Sequence, residues 1–336
     1  MTSTLPAPWE WDIKRLAASV VIAGHHLGLG NSDAARAATD TACAYRERMA
    51  NYASMRALEV WYDAIDVDRF IKEIPTDQVR ERFEERIEEA RKKSTPEHLF
   101  PKLVQDHGAT PRIKDEPPFI FHPTAEQTPG LTSDFWEGIA LYRQSLPEHV
   151  RKLFDHFHFR DLAIKVVGVG SVGTMCGVAL FMAADDDPLF FQIKEAKASV
   201  LEPYAGKSLY KNHGERVVAG QRLMQSASDI FLGWLHALNG RDCYVRQLRD
   251  VKVSAIIEGW DFKTLRAYGE ICAWALAQAH ARSGDAAKIA GYMGSNSSFD
   301  DAICEFAVEY ADQNQRDYRA FINAIRAGRV KVSTET

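Results

Sequence analysis

The chain has 336 residues, of which 46% are hydrophobic and 26% charged, and its formal net charge is −5 at pH 7. This length and balance are typical of a globular protein with one large domain or two ordinary ones. The negative net charge argues against a nucleic-acid-binding surface, because a phosphate backbone is bound by clustered cations. Five cysteines lie far apart without a C-x-x-C pair. They indicate reduced thiols rather than a disulfide framework or a zinc site.

The amino-terminal sequence, MTSTLPAPWEWDIKR, has no basic stretch followed by a long apolar one, so it does not predict a secretory signal. No apolar run approaches the roughly eighteen residues that a membrane-spanning helix needs. We therefore expect a cytoplasmic protein with no membrane partner.

Residues 1–94 are predicted to be helical. The apolar residues between 12 and 60 recur at helical spacing on both sides of a turn at Asn31, which predicts two helices. Residues 77–93 interleave Glu and Arg three and four positions apart, which predicts a charged, solvent-exposed helix. Residues 95–132 contain seven of the thirteen prolines. They predict a connection across the surface without a regular helix.

The third region, residues 133–250, is the β-rich part of the chain. Two short helices come first, near 133–145 and 147–157. Strands are then predicted at 162–167, 174–182, 189–196, 230–235 and 244–248, and one helix at 214–226.

The fourth region, residues 251–336, is helical again, with helical spacing at 262–282 and 298–326. The four regions together predict an α+β fold that is mostly helical and contains one small antiparallel sheet.

The stretch Val166-Val-Gly-Val-Gly-Ser-Val-Gly173 places a G-x-G-x-x-G pattern after an apolar run, and two folds hold phosphates with such a pattern. In a dinucleotide-binding unit, Val172–Ala184 would be a helix, and the next strand would end near Glu195, which would bind a ribose. However, Thr174–Met182 has an interior glycine and no polar face, whereas a crossover helix is amphipathic. This makes the dinucleotide-binding fold the less favoured alternative.

In a kinase-like lobe the glycines form the tip of a hairpin, and a lysine on a following strand contacts the phosphates. Lys194 in the sequence FFQIK has that place, and on a strand it would face the same side as Gln192. A helix with an acidic residue should follow, and Glu215 or Glu202 could supply it. Tyr244–Asp250 would then connect the lobes. Taken singly, these residues have simpler explanations: a tight hairpin, a surface lysine and a helix-terminal charge.

Segments along nearly the whole chain match one family. They are PAPWEWDIKRLAAS (6–19), PKL...PRIKDEPP (101–118), VVGVGSVGT (166–174), QIKEAKASVLE (192–202), GERVVAGQRLMQSASDIFLGW (214–234), YVRQLRDVKVSA (244–255) and AHARSGD (279–285). On these segments the chain resembles the uncharacterised bacterial family DUF2252. That family resembles aminoglycoside-phosphotransferase-like kinases in circularly permuted order. The resemblance therefore implies a kinase-like architecture of two lobes. Along the chain, the lobe that supplies catalytic groups starts first, and the Gly-rich lobe follows.

The resemblance also implies a ligand, which is ATP or another nucleotide with Mg²⁺, and a substrate that is a small molecule or a protein. The implied nucleotide-binding residues are Gly168, Gly170, Ser171, Gly173, Lys194 and Glu215. Asp12 resembles an aspartate whose role in phosphotransferases is usually structural. Gln192 stands where such kinases usually have a small residue against adenine, so the base is expected to bind differently or to be another base.

Family members carry G-D-x-H-x-x-N-F-G and D-F-D-E segments before T-L-P-x-P-W-E-W-D, and these resemble the catalytic and metal-binding loops of kinases. This chain begins at Met1-Thr-Ser-Thr-Leu-Pro, so we expect both segments to be absent. The Gly-Asp of His280-Ala-Arg-Ser-Gly-Asp285 matches a different family segment, the end of a helix. We expect a phosphotransferase scaffold that is catalytically incomplete unless an upstream segment supplies the acids. The alternative is a non-catalytic remnant or a binding module.

Overall fold

The computed structural model of the chain describes residues 4–64, 71, 77–93, 100–101, 103–105, 111–124, 131–166, 173–184, 187–237, 240–248 and 257–331. They form a mixed α+β fold that is mostly helical, as the sequence predicts.

The helices of the described residues agree with the predicted ones to within a few positions. They are α1 (Glu10–His26), α2 (Asn31–Ser54), α3 (Ala57–Tyr62), α4 (Asp77–Lys93), α5 (Leu131–Ser145), α6 (Glu148–Phe154), α7 (Glu202–Ala205), α8 (His213–Met224), α9 (Phe262–Ser283), α10 (Ala286–Met293) and α11 (Ser298–Arg326). The second predicted helix is divided, because Met55 and Arg56 are extended and end α2. The short helices α7 and α10 were not predicted, although Asp285 caps α10 by accepting a hydrogen bond from the backbone N–H of Lys288.

The strands are β1 (Val104–Gln105), β2 (Arg112–Ile113), β3 (Ile120–Phe121), β4 (His158–Lys165), β5 (Cys176–Met182), β6 (Pro188–Ala196), β7 (Gly233–Ala237) and β8 (Arg241–Gln247). The first three lie in the proline-rich region, for which the sequence predicted only a connection. β1 and β2 pair with each other, and β3 pairs with β4 at the edge of the main sheet. Short strands of two residues carry too little periodicity to be read from sequence.

The chain divides into two compact units. The first comprises Met1–Ala7 and Glu81–Ser254, and we name it the sheet unit. The second comprises Pro8–Arg80 and Ala255–Thr336, and we name it the helical unit.

The helical unit has a core to which α1, α2, α9, α10 and α11 contribute. Trp274 and Tyr45 are the largest side chains buried in it. Small residues allow α1 and α2 to pack closely: a Cβ atom on Gly24 would lie 2.8 Å from the Cβ atom of Ala34. Glycine at position 24 is therefore required by the approach of the two helices rather than by a turn.

The sheet unit contains a sheet of six strands in the order β3-β4-β5-β6-β8-β7, in which all neighbours are antiparallel. It is larger than the small sheet that the sequence predicts. Side chains alternate between its faces: Phe191 and Ile193 of β6 pack in the core that α5 and α6 cover. Phe190, by contrast, packs on the other face with Val104 and Ile113 of β1 and β2. The predicted alternation along β6 is thus confirmed.

The dinucleotide-binding alternative is wrong, because β5 occupies the place of the required helix. β5 is buried along its whole length and pairs with β4 on one side and β6 on the other, antiparallel to both. A dinucleotide-binding unit needs parallel strands joined by a helix. The apolar run of β5 has no polar face because both faces of the strand are covered by core.

Candidate anion-binding site

The glycine-rich segment connects β4 to β5, which is the place of a hairpin. Of the predicted phosphate-binding residues in it, Gly168, Gly170 and Ser171 lie outside the described residues. Gly173 is described, and its φ of +77° lies in the left-handed region that glycine adopts without strain. The carbonyl oxygen of Gly173 accepts a hydrogen bond of 2.6 Å from Nζ of Lys197. The end of the segment is thus tied to the chain that follows β6.

Glu195 closes the base of this hairpin. Its Oε2 accepts a hydrogen bond of 2.8 Å from the backbone N–H of Met175, and its own N–H donates to the Met175 carbonyl over 2.9 Å. The same carboxylate forms ion pairs with Arg241 at 3.5 Å and Lys197 at 3.9 Å. Glu195 therefore holds the hairpin, and the ribose contact that the dinucleotide alternative would require of it is replaced by these bonds.

Lys194 lies on β6 between Cys176 of β5 and Tyr244 of β8, its partners in the strand register. Its side chain is on the face opposite Ile193, as the sequence predicts. β8 was expected to begin a connection between lobes at Tyr244. Instead it is an interior strand that runs to Gln247, and the last two residues of that predicted connection, 249–250, lie outside the described residues.

Two further cations lie on the same face as Lys194. Lys165 ends β4 in the register position beside Cys176, and Arg246 of β8 pairs in register with Gln192. Burial raises the pKa of the Cys176 thiol, while the positive charges of Lys194, Lys165 and Arg246 act in the opposite direction. The three side chains thus share one face of the sheet with Cys176, and each acts electrostatically on its thiol. We name them the cation cluster.

Gln192 fixes the orientation of Arg246. The Gln192 side chain is 4% exposed, and its Oε1 accepts hydrogen bonds from Nε and Nη2 of Arg246 over 3.2 and 3.0 Å. A further hydrogen bond joins Gln192 to Cys176. The side chain of Gln192 therefore bonds to its neighbours on the sheet. Where kinases usually have a small residue, this chain has a glutamine that positions the guanidinium group of Arg246.

Within the part of the chain that the structure describes, neither Lys165 nor Arg246 forms an ion pair with a carboxylate. Sequence reasoning missed both residues, because only the strand register shows that they share a face with Lys194. Clustered cations without carboxylate partners are the usual composition of an anion-binding site.

The two acidic residues predicted as partners of Lys194 lie on different helices. Glu215 is in the first turn of α8, where its backbone N–H donates a hydrogen bond of 2.9 Å to the capping side chain of Asn212. Glu202, at the start of α7, interacts electrostatically with Arg216. Burial lowers the pKa of Arg216, and the charge of Glu202 acts in the opposite direction. The nucleotide-binding role of Glu215 remains a prediction.

Asp12 lies in the first turn of α1, in the helical unit. Its Oδ2 is 3.5 Å from Nε2 of His280, whose Nδ1 is 2.8 Å from the hydroxyl of Tyr45. A hydrogen bond with His280 holds the pKa of Asp12 below its ordinary value, although burial opposes it. These contacts support a structural role for Asp12, which stays a prediction. Gly284 ends α9 and Asp285 caps α10, so His280–Asp285 is the end of a helix, as the sequence predicts.

No helix in the described ranges is both long and apolar enough to span a membrane. Likewise, the described His, Cys, Asp and Glu side chains do not come together in groups of three or more that could hold a metal ion.

The family model described as "Uncharacterized protein conserved in bacteria (DUF2252)" matches residues 3–324. The match covers nearly the whole chain, so the chain belongs to this family. No curated protein matches the chain significantly. No solved structure does either.

Proposed function

We propose that the sheet unit binds the phosphates of a nucleotide such as ATP, on a kinase-like scaffold whose elements follow a permuted order. The observation that supports this best is the cation cluster, Lys165, Lys194 and Arg246, beside the glycine segment that ends at Gly173. Glycines at a hairpin let a ligand approach the backbone closely, and the adjacent cations supply the charge that phosphates require.

The order of the elements also supports the proposal. A kinase-like lobe needs a Gly-rich hairpin, a strand that carries a lysine, then a helix with an acidic residue and further strands. The sheet unit has β4 and β5 around the glycine segment, then Lys194 on β6, Glu215 on α8, and finally β7 and β8. A helix covers the same face of the sheet as Lys194, because Val217 and Val218 of α8 pack against Tyr244.

Each cation has a distinct part in the proposed binding. Arg246, held by Gln192, presents the planar donors of a guanidinium group, which suit two phosphate oxygens at once. Lys165 and Lys194 supply ammonium groups that act as point charges. A hydrogen bond between charged partners contributes about 1.5–3 kcal/mol, so loss of one cation weakens binding by roughly tenfold to a hundredfold.

The proposal concerns binding. Mg²⁺ would accompany the nucleotide as its counter-ion. Glu195 is engaged at the base of the hairpin, and the described residues contain no group of three or more His, Cys, Asp and Glu side chains that could hold a metal ion. No step is therefore assigned to the metal. Conversion of a bound nucleoside triphosphate to the diphosphate, with transfer of the phosphoryl group to an acceptor or to water, distinguishes a phosphotransferase from a binding module, the second candidate, which binds nucleotide without consuming it.

Calorimetric titration with ATP, GTP and pyrophosphate in the presence of Mg²⁺ tests the proposal. The wild-type chain is compared with Lys194→Ala and Arg246→Ala. Lys152→Ala serves as a matched control, because Lys152 is an exposed lysine of the same unit on α6. We expect the first two variants to bind roughly tenfold to a hundredfold more weakly and the control to bind like the wild type. If the wild type binds none of the three ligands at millimolar concentration, the proposal is wrong.

A further inference from the structure

Residues 197–211, between β6 and α8, present a dense group of exposed apolar side chains. The exposed fractions are 70% for Val200, 79% for Tyr204, 96% for Leu209 and 42% for Tyr210. Single exposed apolar residues are normal on a protein surface, whereas a contiguous apolar patch indicates an interaction site, and here four exposed apolar side chains lie within residues 200–210. Tyrosine is also enriched at protein interfaces, because its ring is apolar and its hydroxyl can form hydrogen bonds. We name residues 197–211 the docking segment.

The docking segment exposes positive charge, whereas its negative charge is partly buried. Lys207 and Lys211 are exposed, and neither forms an ion pair with another described residue. The acidic residue of the segment, Glu202, has a buried Oε1 and interacts with Arg216. Glu195, which precedes the segment, is only 10% exposed. The surface of the segment therefore offers apolar side chains and positive charge, while its negative charge is turned inward.

The docking segment is also tied to the glycine segment. Lys197 begins it, and its Nζ donates the hydrogen bond to the carbonyl oxygen of Gly173. The backbone carbonyl of Lys197 in turn accepts a 2.8 Å hydrogen bond from Nη2 of Arg216 on α8. Lys197 is thus anchored through both its side chain and its backbone, which fixes the start of the docking segment.

We propose that the docking segment binds an acidic, partly apolar peptide stretch of another protein. Carboxylates of the partner would lie against Lys207 and Lys211, and its apolar side chains against Tyr204 and Leu209. A peptide is favoured over an anionic membrane. Two lysines near a bilayer supply only about 1 kcal/mol each, and the chain as a whole is negatively charged, at −5. The proposal does not depend on nucleotide binding.

The test uses the full-length chain and an array of short synthetic peptides that vary in their number of glutamates and of leucines or phenylalanines. The dissociation constant of the strongest binder is then measured by fluorescence anisotropy at low and moderate salt. We expect binding to increase with both kinds of residue. The double variant Lys207→Glu/Lys211→Glu and the variant Leu209→Ser should each bind at least about tenfold more weakly. Lys152→Glu, an exposed lysine of α6, is the matched control and should not change binding.

Three results would overturn the proposal. One is that no peptide of the array binds the chain. Another is a binder whose affinity the Lys207 and Lys211 substitutions leave unchanged. The third is that the substitutions abolish only binding to phosphatidylserine vesicles, or only self-association in sedimentation, which would assign the segment to a membrane or to a second copy of the chain. All substituted side chains are exposed, and unchanged unfolding temperatures of the variants confirm that the effect is on binding.

Discussion

Individual ion pairs in this chain differ chiefly in how far they are removed from water. In the helical unit, Nη2 of Arg46 donates to Oδ2 of Asp300 over 2.8 Å, and the two side chains are 14% and 3% exposed. In the sheet unit, Arg143 and Asp155 are closer, at 2.6 Å, but both are almost half exposed. A buried carboxylate that loses its partner keeps its desolvation cost, whereas an exposed one is stabilised by water. The contribution of each ion pair to the free energy of unfolding should therefore depend on how deeply the pair is buried rather than on the distance between its charged atoms.

Arg46→Ala should consequently lower the free energy of unfolding by about 3–5 kcal/mol, because Asp300 would be left charged and buried. The matched change Arg143→Ala should have little effect. Urea denaturation at neutral pH measures both. Equal losses for the two variants would contradict the argument from burial.

Single residues of the site could be predicted from the sequence only where a motif includes them. Lys194 was found because it follows the glycine pattern at the spacing of a hairpin and a second strand. Lys165 and Arg246 belong to no pattern, since an isolated basic residue on a strand is most often a surface residue. They join Lys194 only through the register of β4, β5, β6 and β8.

At the scale of elements, the helices were the most predictable part of the fold. The face of α2 that includes Ala34, Ala38 and Tyr45 is buried and recurs at helical spacing, so the sequence shows it directly. The sheet was harder to predict. β5 is buried on both faces, and its continuous apolar run fits a strand or a buried helix equally well by periodicity. Antiparallel pairing with both neighbours decided between them.

Close packing between elements leads to a prediction about two glycines. In Gly24→Ala, the new Cβ atom would lie 2.8 Å from that of Ala34, so α1 and α2 would have to separate. We expect a loss of about 1–3 kcal/mol in the free energy of unfolding. Gly291→Ala makes the same chemical change in the exposed part of α10, where nothing lies within 4 Å of the new atom. It should stabilise the chain by about 0.5–1 kcal/mol.

Thermal and urea unfolding of both glycine variants measure these opposite effects. A Gly24→Ala variant as stable as the wild type would show that α1 and α2 do not pack as closely as the structure indicates.

For the whole molecule, the sequence predicted a mixed fold and the family, and the structure adds how distant parts of the sheet unit meet. Lys165 and Arg246 are far apart in the chain, and an antiparallel sheet brings both to the face that carries Lys194. Family membership does not by itself assign a ligand to this face. Our proposal of a phosphate ligand rests on clustered cations, of which Lys165 and Arg246 form no ion pair with a described carboxylate.

The most direct test of this account uses Lys165, which no motif contains. Affinities of the wild type and Lys165→Ala for ATP and for pyrophosphate, each with Mg²⁺, are measured by calorimetric titration. If the cation cluster binds phosphates, the substitution weakens the binding of both ligands by the same factor, roughly tenfold or more. The reason is that it removes a contact to phosphate and leaves any contact to the nucleotide base unchanged. Unchanged affinity of both ligands in Lys165→Ala would contradict the account.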